Sequence, residues 1–530
     1  MVGAHARLAT MNDPGPKTQQ RPTGAAPTAT SGDSAGLGRV ARGGAVNMAG
    51  AVCGAALNVG LVVVVAHMFP QETAGVFFSA TSVFLIVLAV ANLGTSNGLV
   101  YFIARLRALG AGGQSLGVLR LALRPVVAVA LLVGAALALL AEPLAGLLGS
   151  QDAAAYLQVL AIFLPFAVYA DAALAATRGF NDMRATVVLD KVARPAAQLA
   201  LLGALAVWGG AGLLTVAWVG PYLPVAILAW WWLRRVLRVA EREETAPLPV
   251  GPKVVDARTF WAFALPRSVA SIAQIGIQRS GIVLVAVLQG AAEAAVFTAA
   301  TRFMVVGQFA TQAIQFAVQP RLAELLAIRD HKGAATLYQA GTAWLVCLTW
   351  PLYLPVIVYA PLLLHLFGAD YAAGAGVLVV VSAAMLASSA CGMGDLALTM
   401  AGRTGWNLFN NILALVVSVV VCVVLIPWIG AVGAALAWAA AVLVRNLLPL
   451  AQLHRSLGLQ PLSRAWLVAV GACLVWFGLV PLGANAVLGA GAGSLAVAML
   501  VGGAGYAATL WRLRSVLALE GLLHRRPTAR

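Results

Sequence analysis

The sequence is poor in charge. Only 10% of its 530 residues are charged, whereas 61% are hydrophobic, and the mean hydropathy is +0.91. A soluble globule carries roughly 25% charge, so this composition excludes one and marks an integral membrane protein. Cysteine is scarce as well. Cys53, Cys347, Cys391, Cys422 and Cys473 lie within apolar segments without a CxxC or metal-ligand spacing, which argues against a disulfide framework and a zinc site. No HExxH, Walker A, GxSxG or paired-carboxylate motif is present. The run GLGRVARGG from Gly36 has no preceding strand and is not a nucleotide site. The polar inventory favours binding over covalent chemistry: no cofactor, no metal and no enzyme activity are expected. Without an ATPase domain, active transport would draw on an ion gradient, the membrane potential or a downstream sink.

What remains is a succession of apolar windows, each about twenty residues long. They predict an all-α polytopic membrane protein with about fourteen spans, at about 43–68, 75–100, 117–140, 154–177, 186–208, 211–233, 263–289, 293–318, 335–360, 373–400, 407–427, 431–453, 464–483 and 487–510. With the N-terminus inside, alternate loops carry Arg105, Arg107, Arg178, Arg184, Arg234, Arg235, Arg238, Arg329, Lys332, Arg403 and Arg455, and the outer loops carry no Lys or Arg. That asymmetry predicts cytoplasmic N- and C-termini in a bacterial cytoplasmic membrane. It also assigns the net charge of +16 to loops rather than to nucleic acid.

The expected organisation is a disordered tail over 1–38, a six-helix lobe over 39–240, a linker over 241–258, a second six-helix lobe over 259–460, two further helices over 461–515 and a basic tail over 516–530. The linker contains EREETAPLPVGPK, rich in proline and mixed charge. At an offset of about 220 residues, VFFSAT from Val76 meets VFTAAT from Val296, and Trp208, Gly210, Ala211, Ala217 and Trp218 meet Trp428, Gly430, Ala431, Ala437 and Trp438. An even number of spans per repeat makes the two lobes parallel.

The residues that break membrane rules cluster between Phe263 and Val318. Arg267, Arg279 and Arg302 lie inside apolar helices, while every other Lys and Arg reads as tail, loop or helix end. Arg279 and Arg302 fall about 14–15 Å deep at 1.5 Å per residue, near the midplane of a 30 Å core. A mid-bilayer arginine costs at least about 2.5–3.5 kcal/mol, so it faces a watery cavity or a partner. Arg267, Ser271, Gln274 and Gln278 share one arc of the first helix, with Arg279 on its flank. Gln308, Gln312, Gln315 and Gln319 repeat that spacing on the next helix. The stripes predict a cavity for an anion. Asp171 and Asp395 are the acids that could pair with the arginines or carry a coupling ion. Asn58, with Asn47 on its face of the first span, matches Gln278 in the repeat and is expected to line the same cavity.

The segment GGAVNMAGAVCGAALNVGLVVVVAHMFPQETAGVFFSATSVF, the LLLHLFGADYAAGAGVL run over Leu362–Leu378, and QPRLAEL from Gln319 resemble the polysaccharide-biosynthesis flippases of the multidrug/oligosaccharidyl-lipid/polysaccharide (MOP) exporter superfamily. The resemblance implies V-shaped helical lobes, alternating access and a polyprenyl-diphosphate-linked oligosaccharide as cargo. On that reading Arg279, Arg302 and Arg267, with Gln274, Gln278, Gln308, Gln312 and Asn58, contact diphosphate and sugars. Partners are then the lipid-linked glycan, membrane lipids and glycan polymerase or ligase machinery, with the chain acting as a monomer. Related lipid II flippases use cavity arginines in spans one, two and seven. Here span one offers Asn47 and Asn58, and the second deep arginine lies in span eight. The alternatives are a lipid II flippase, a multidrug exporter of the same fold, and a membrane glycan polymerase or ligase. Deep arginines oppose a cationic-drug site, and short outer loops oppose an enzyme.

Overall fold

The structure is a computed structural model that describes residues 31–243 and 255–517, with the side chains of 31–47, 206, 211, 241–243 and 306 outside the described set. Over 31–45 only helical backbone is described. The chain is all-helical. Its first half comprises α1 (Ser31–Met68), α2 (Gln71–Ala91), α3 (Thr95–Ala108), α4 (Ser115–Leu139), α5 (Ala141–Leu147), α6 (Asp152–Gly179), α7 (Arg194–Trp208), α8 (Leu214–Val219) and α9 (Tyr222–Glu243). The second comprises α10 (Ala257–Gln289), α11 (Ala291–Thr301), α12 (Met304–Ala327), α13 (His331–Val358), α14 (Ala360–Leu364), α15 (Ala375–Cys391), α16 (Gly394–Met400) and α17 (Thr404–Leu457), followed by α18 (Arg464–Cys473), α19 (Val480–Leu488) and α20 (Ala492–Arg512).

Eleven helices among the described residues are long and apolar enough to cross a membrane. The other expected segments are helical but interrupted or fused. The segment 186–208 begins as a π-helix over Thr186–Ala193 before α7. The segment 293–318 is divided at Arg302 and Phe303, and 407–427 and 431–453 are fused in α17 across a kink at Ile429 and Gly430. Helix α1 starts at Ser31, inside the stretch read as tail, and residues 1–30 lie outside the described residues. Most of the linker, over 244–254, and the basic tail from 518 also lie outside them. Asp256 caps α10: its carboxylate accepts the Thr259 N–H at 2.9 Å, which holds that carboxyl below its ordinary range.

Hydrocarbon offers a helix no hydrogen-bond partners, so each break must satisfy its own backbone. At the α11–α12 break the Arg302 N–H donates to Ala299 O and the Val305 N–H to Arg302 O, one residue short of the α-helical step. Thr298 O thereby loses its regular donor, and the Thr301 hydroxyl replaces it at 2.9 Å. Between α2 and α3 the chain turns through Leu93 and Gly94, both at positive φ. Gly94 serves there twice, because a Cβ would also strike Ala264 O of α10.

Helix α10 packs against α2 and α3 of the first half and against α11 and α17 of the second. One core spans this junction, including Phe77, Phe84, Trp218, Phe297 and Trp438. The outer surface is apolar. Leu132, Leu139 and Val487 are 71%, 82% and 83% exposed, as suits contact with lipid tails. Trp208 and Trp428, matched by the repeat, are 83% and 84% exposed beside breaks at Gly209 and Ile429, where interfacial tryptophans belong.

Gly75 of α2 lies against the Ala291 carbonyl at the start of α11, leaving no room for a Cβ. Gly75→Ala should cost about 1–3 kcal/mol through forced separation of the helices. Gly117→Ala in α4, with open space around it, is the control. Thermal midpoints of the purified protein in detergent measure both; equal midpoints would show that the α2–α11 contact tolerates the methyl.

Candidate functional site

Five expected polar positions meet in one cavity. Gln274 and Gln278 of α10 face Gln308, Gln312 and Gln315 of α12 across a space of about 260 Å³. The i, i+4 spacing of each pair puts both amides of a helix on one face. Tyr353 of α13 and Trp438 of α17 contribute aromatic surface, and Thr311, Thr349, Ser388 and Ser389 contribute hydroxyls. Tyr353 is fixed by donating its hydroxyl to Met304 O at 3.0 Å. The break between α15 and α16, at Gly392 and Met393, also lines the cavity. Gly392 sits at φ 86°, and the Tyr338 hydroxyl satisfies the Cys391 carbonyl at 2.8 Å. All the lining residues belong to the second half.

The cavity also exposes an ion pair. Asp395, in the first turn of α16, accepts from Arg445 of α17 at 3.1 Å. Asp395 Oδ1 and Arg445 Nε are buried without a hydrogen-bond partner among the described residues. Arg445 was not among the expected site residues. It lies well inside α17, so the reading of every other basic residue as tail, loop or helix end fails here. The same correction applies to Arg194. Its guanidinium pairs with Asp190 at 2.8 Å, donates to the Tyr222 hydroxyl at 3.2 Å and lies over the Tyr222 ring. An i, i+4 acid–base pair inside an apolar run was the available signal for Asp190 and Arg194. Asp395 and Arg445, 50 positions apart, left no local one.

Arg279 and Arg302 do not line the cavity. A residue is rotated about 100° from its helical neighbour, so Arg279 leaves the face that Gln278 shares with Gln274. Both arginines are partly buried and lie within electrostatic reach of each other. Neither has a carboxylate partner among the described residues, and Arg302 Nε is buried without any partner there. Arg279 also comes within electrostatic reach of Tyr222 in α9 of the first half. The expected acids are engaged elsewhere: Asp395 by Arg445, and Asp171 by Asn92, whose Nδ2 donates to Asp171 Oδ2 at 3.2 Å.

Two further residues expected at the site lie away from this cavity. Asn58 is exposed on α1, donates to Gly54 O at 2.7 Å and does not line the cavity. The side chain of Asn47 lies outside the described residues. Arg267 is exposed, donates to Phe263 O at 3.1 Å and lies 3.6 Å from the centroid of the Phe263 ring, clear of the cavity. Phe263 in turn stacks on Tyr101 of α3.

This assembly of long and broken helices has the MOP transporter fold. It is similar to the lipid II flippase MurJ in an inward closed conformation, with TM-score 0.70, 11% identity, and 89% of this chain and 99% of that chain covered. It is also similar to an inward-facing multidrug resistance MATE family transporter, with TM-score 0.59, 15% identity and coverage of 76% and 94%. A MOP superfamily transporter from Pyrococcus furiosus, described by the reverse polarity of its binding pocket, aligns with TM-score 0.51, 16% identity and coverage of 81% and 94%. A family model described as polysaccharide biosynthesis protein matches residues 40–326, more than half of the chain. The chain belongs to that family. No curated protein sequence matches it significantly.

Asp395 and Arg445 should behave as a coupled pair. Arg445→Met would leave a carboxylate without its cation, at a cost of about 2 kcal/mol. Adding Asp395→Asn should recover most of that loss. A double-mutant cycle on thermal midpoints tests this, and strictly additive losses would mean that the two side chains do not depend on each other.

Proposed function

We propose that the chain flips a polyprenyl-diphosphate-linked oligosaccharide across a bacterial cytoplasmic membrane by alternating access. The reading is supported by one juxtaposition above all: an amide- and aromatic-lined cavity lies beside two membrane arginines that have no acidic partner among the described residues. Family membership supports a lipid-linked glycan as cargo. Glutamine amides can donate to and accept from sugar hydroxyls, and Tyr353 and Trp438 offer flat surfaces for apolar sugar faces. Arg279 and Arg302 supply planar forks for phosphate oxygens, strengthened by the low dielectric around them.

In this proposal the interrupted and fused helices complete fourteen crossings, arranged as two parallel six-helix lobes and a terminal pair, with both termini cytoplasmic. The lobes, over 39–240 and 259–460, open alternately to the two leaflets. Gln274, Gln278, Gln308 and Gln312 hold sugar, the two arginines hold the diphosphate, and the isoprenoid stays in lipid. Arg267 stands nearer the cytoplasmic mouth, where an arriving phosphate would meet it first. The continuity of α10 links these groups: it carries Arg267, Gln274, Gln278 and Arg279 on a single rigid element.

Arg279→Ala and Arg302→Ala should each reduce translocation about 10–100-fold, the equivalent of a lost charge-assisted contact. Lysine at either position should restore part of the rate, since a point charge returns without the planar fork. Glycolipid flipping in vesicles, at matched protein levels, measures this; undiminished flipping in the double alanine variant would remove the assigned role.

The amides carry a separable expectation. Gln308→Leu with Gln312→Leu should weaken binding of the complete glycolipid about tenfold while leaving binding of the sugar-free polyprenyl diphosphate unchanged. Equal weakening of both ligands would count against a sugar role for the cavity.

A further inference from the structure

The first half has a second charged site, away from the glutamine cavity. The end of α9 reads WWWLRRVLR from Trp230. Helical spacing brings Trp231, Arg234, Arg235 and Arg238 together, and these four line a groove of about 310 Å³. A neighbouring cavity of about 490 Å³ is built from Arg107 of α3, the turn carrying Phe180, Asp182 and Arg184 after α6, and Trp232 and Arg235 of α9. Arg235 lines both spaces and joins them.

The lining is charged almost entirely with one sign. Among the described residues it holds five arginines, Arg107, Arg184, Arg234, Arg235 and Arg238, against the single carboxylate Asp182. None of the five is within ion-pair distance of a described acid. Asp182 is occupied structurally. It accepts from Trp232 Nε1 at 2.8 Å and from the Arg184 N–H at 3.0 Å, which fastens the turn to α9. Arg107 is steered by the Phe180 ring 5.8 Å away, and Arg234 by the Trp230 ring 4.5 Å away. The tryptophans mark the depth of the site, because indoles collect at the headgroup level.

We propose that these adjoining cavities bind the phosphate headgroup of an anionic membrane phospholipid. The guanidinium forks recognise phosphate oxygens, and Trp231 and Trp232 lie along the upper acyl chains. A free anion would have no use for the indole surface, and a zwitterionic lipid would bring its own cation into a field of arginines. The bound lipid would tie α3, the turn after α6 and the end of α9 together at the membrane boundary. The site is distinct from the one proposed for the cargo and does not depend on it.

The test is native mass spectrometry of the full-length protein in neutral detergent, titrated with phosphatidylglycerol. Each arginine near a membrane surface contributes about 1 kcal/mol, or roughly fivefold in affinity. The triple variant Arg107→Gln, Arg184→Gln, Arg235→Gln should therefore bind the tightest lipid about 100-fold more weakly. The same loss of charge at Arg329, Arg403 and Arg464 should leave that affinity within threefold. Phosphatidylcholine should not compete, and inorganic phosphate at millimolar concentration should not displace the lipid. If the triple variant fails to fold, Arg235→Gln alone should weaken binding about fivefold. Unchanged affinity in the pocket variants, an equal loss in the control variant, or displacement by inorganic phosphate would each overturn the assignment.

Discussion

A membrane helix cannot leave backbone groups unpaired in hydrocarbon, and that constraint decides where this molecule keeps its polar chemistry. Its helices are interrupted at few places, and three of those interruptions adjoin ionisable side chains. The turn at Asn92–Gly94 stands beside the Asn92–Asp171 bond. The tightened turn at Arg302 frees Thr298 O, which Thr301 then satisfies. The break at Gly392 and Met393 opens onto the glutamine cavity and leads directly into Asp395. Irregular backbone is affordable where side chains or cavity water can replace the missing ladder bonds. The breaks at Gly209 and Ile429 obey the same rule differently, for they fall beside exposed tryptophans, the side chains that favour the membrane boundary.

The same constraint sorts the charges. Asp190 with Arg194 and Asp395 with Arg445 are neutralised within their own half of the chain. A buried pair of this kind roughly balances desolvation against attraction, so it adds little net stability but is costly to break. Arg279 and Arg302 have no such compensation among the described residues, and they repel each other. A counter-charge arriving from outside the chain would therefore be bound with a gain that a paired arginine could not deliver. The asymmetry lies in the distribution of partners rather than in the number of cations, since both halves contain membrane arginines.

Much of the architecture was legible because apolar run length and helical period are local properties. The segment starts at Gln71 and Ala291 keep the offset of the VFFSAT and VFTAAT match, and the breaks near Trp208 and Trp428 keep it too. That Gln274 shares a helix face with Gln278, and Gln308 with Gln312, also followed from spacing, and the packing of α10 and α12 brings the two faces to one cavity. Rotation about the helix axis was harder to anticipate. Gln278 and Arg279 are adjacent in sequence yet serve different surroundings, so a site read as one cationic, amide-rich stripe became two neighbouring sites. Asp395 finding Arg445 is a tertiary choice between helices, invisible to any local pattern. Asn58 lies away from the glutamine cavity, and its amide donates to Gly54 O on its own helix.

Helix α10 makes the two neighbouring sites mechanically inseparable. Its packing partners come from both halves, with Gly94 meeting Ala264 on one side and Gly276 meeting the Leu415 side chain of α17 on another. Close backbone approach of this sort resists rotation of one helix against its neighbours. Because Gln278 and Arg279 are consecutive on that helix, a shift that re-aims one must re-aim the other by the same rotation. A cavity confined to the second half can thus be coupled to the first without any direct contact, through a helix that packs against elements of both halves of the chain. That arrangement needs no long relay of side chains. It needs only that α10 remain unbroken between Ala264 and Arg279, and over that stretch its helical conformation is continuous.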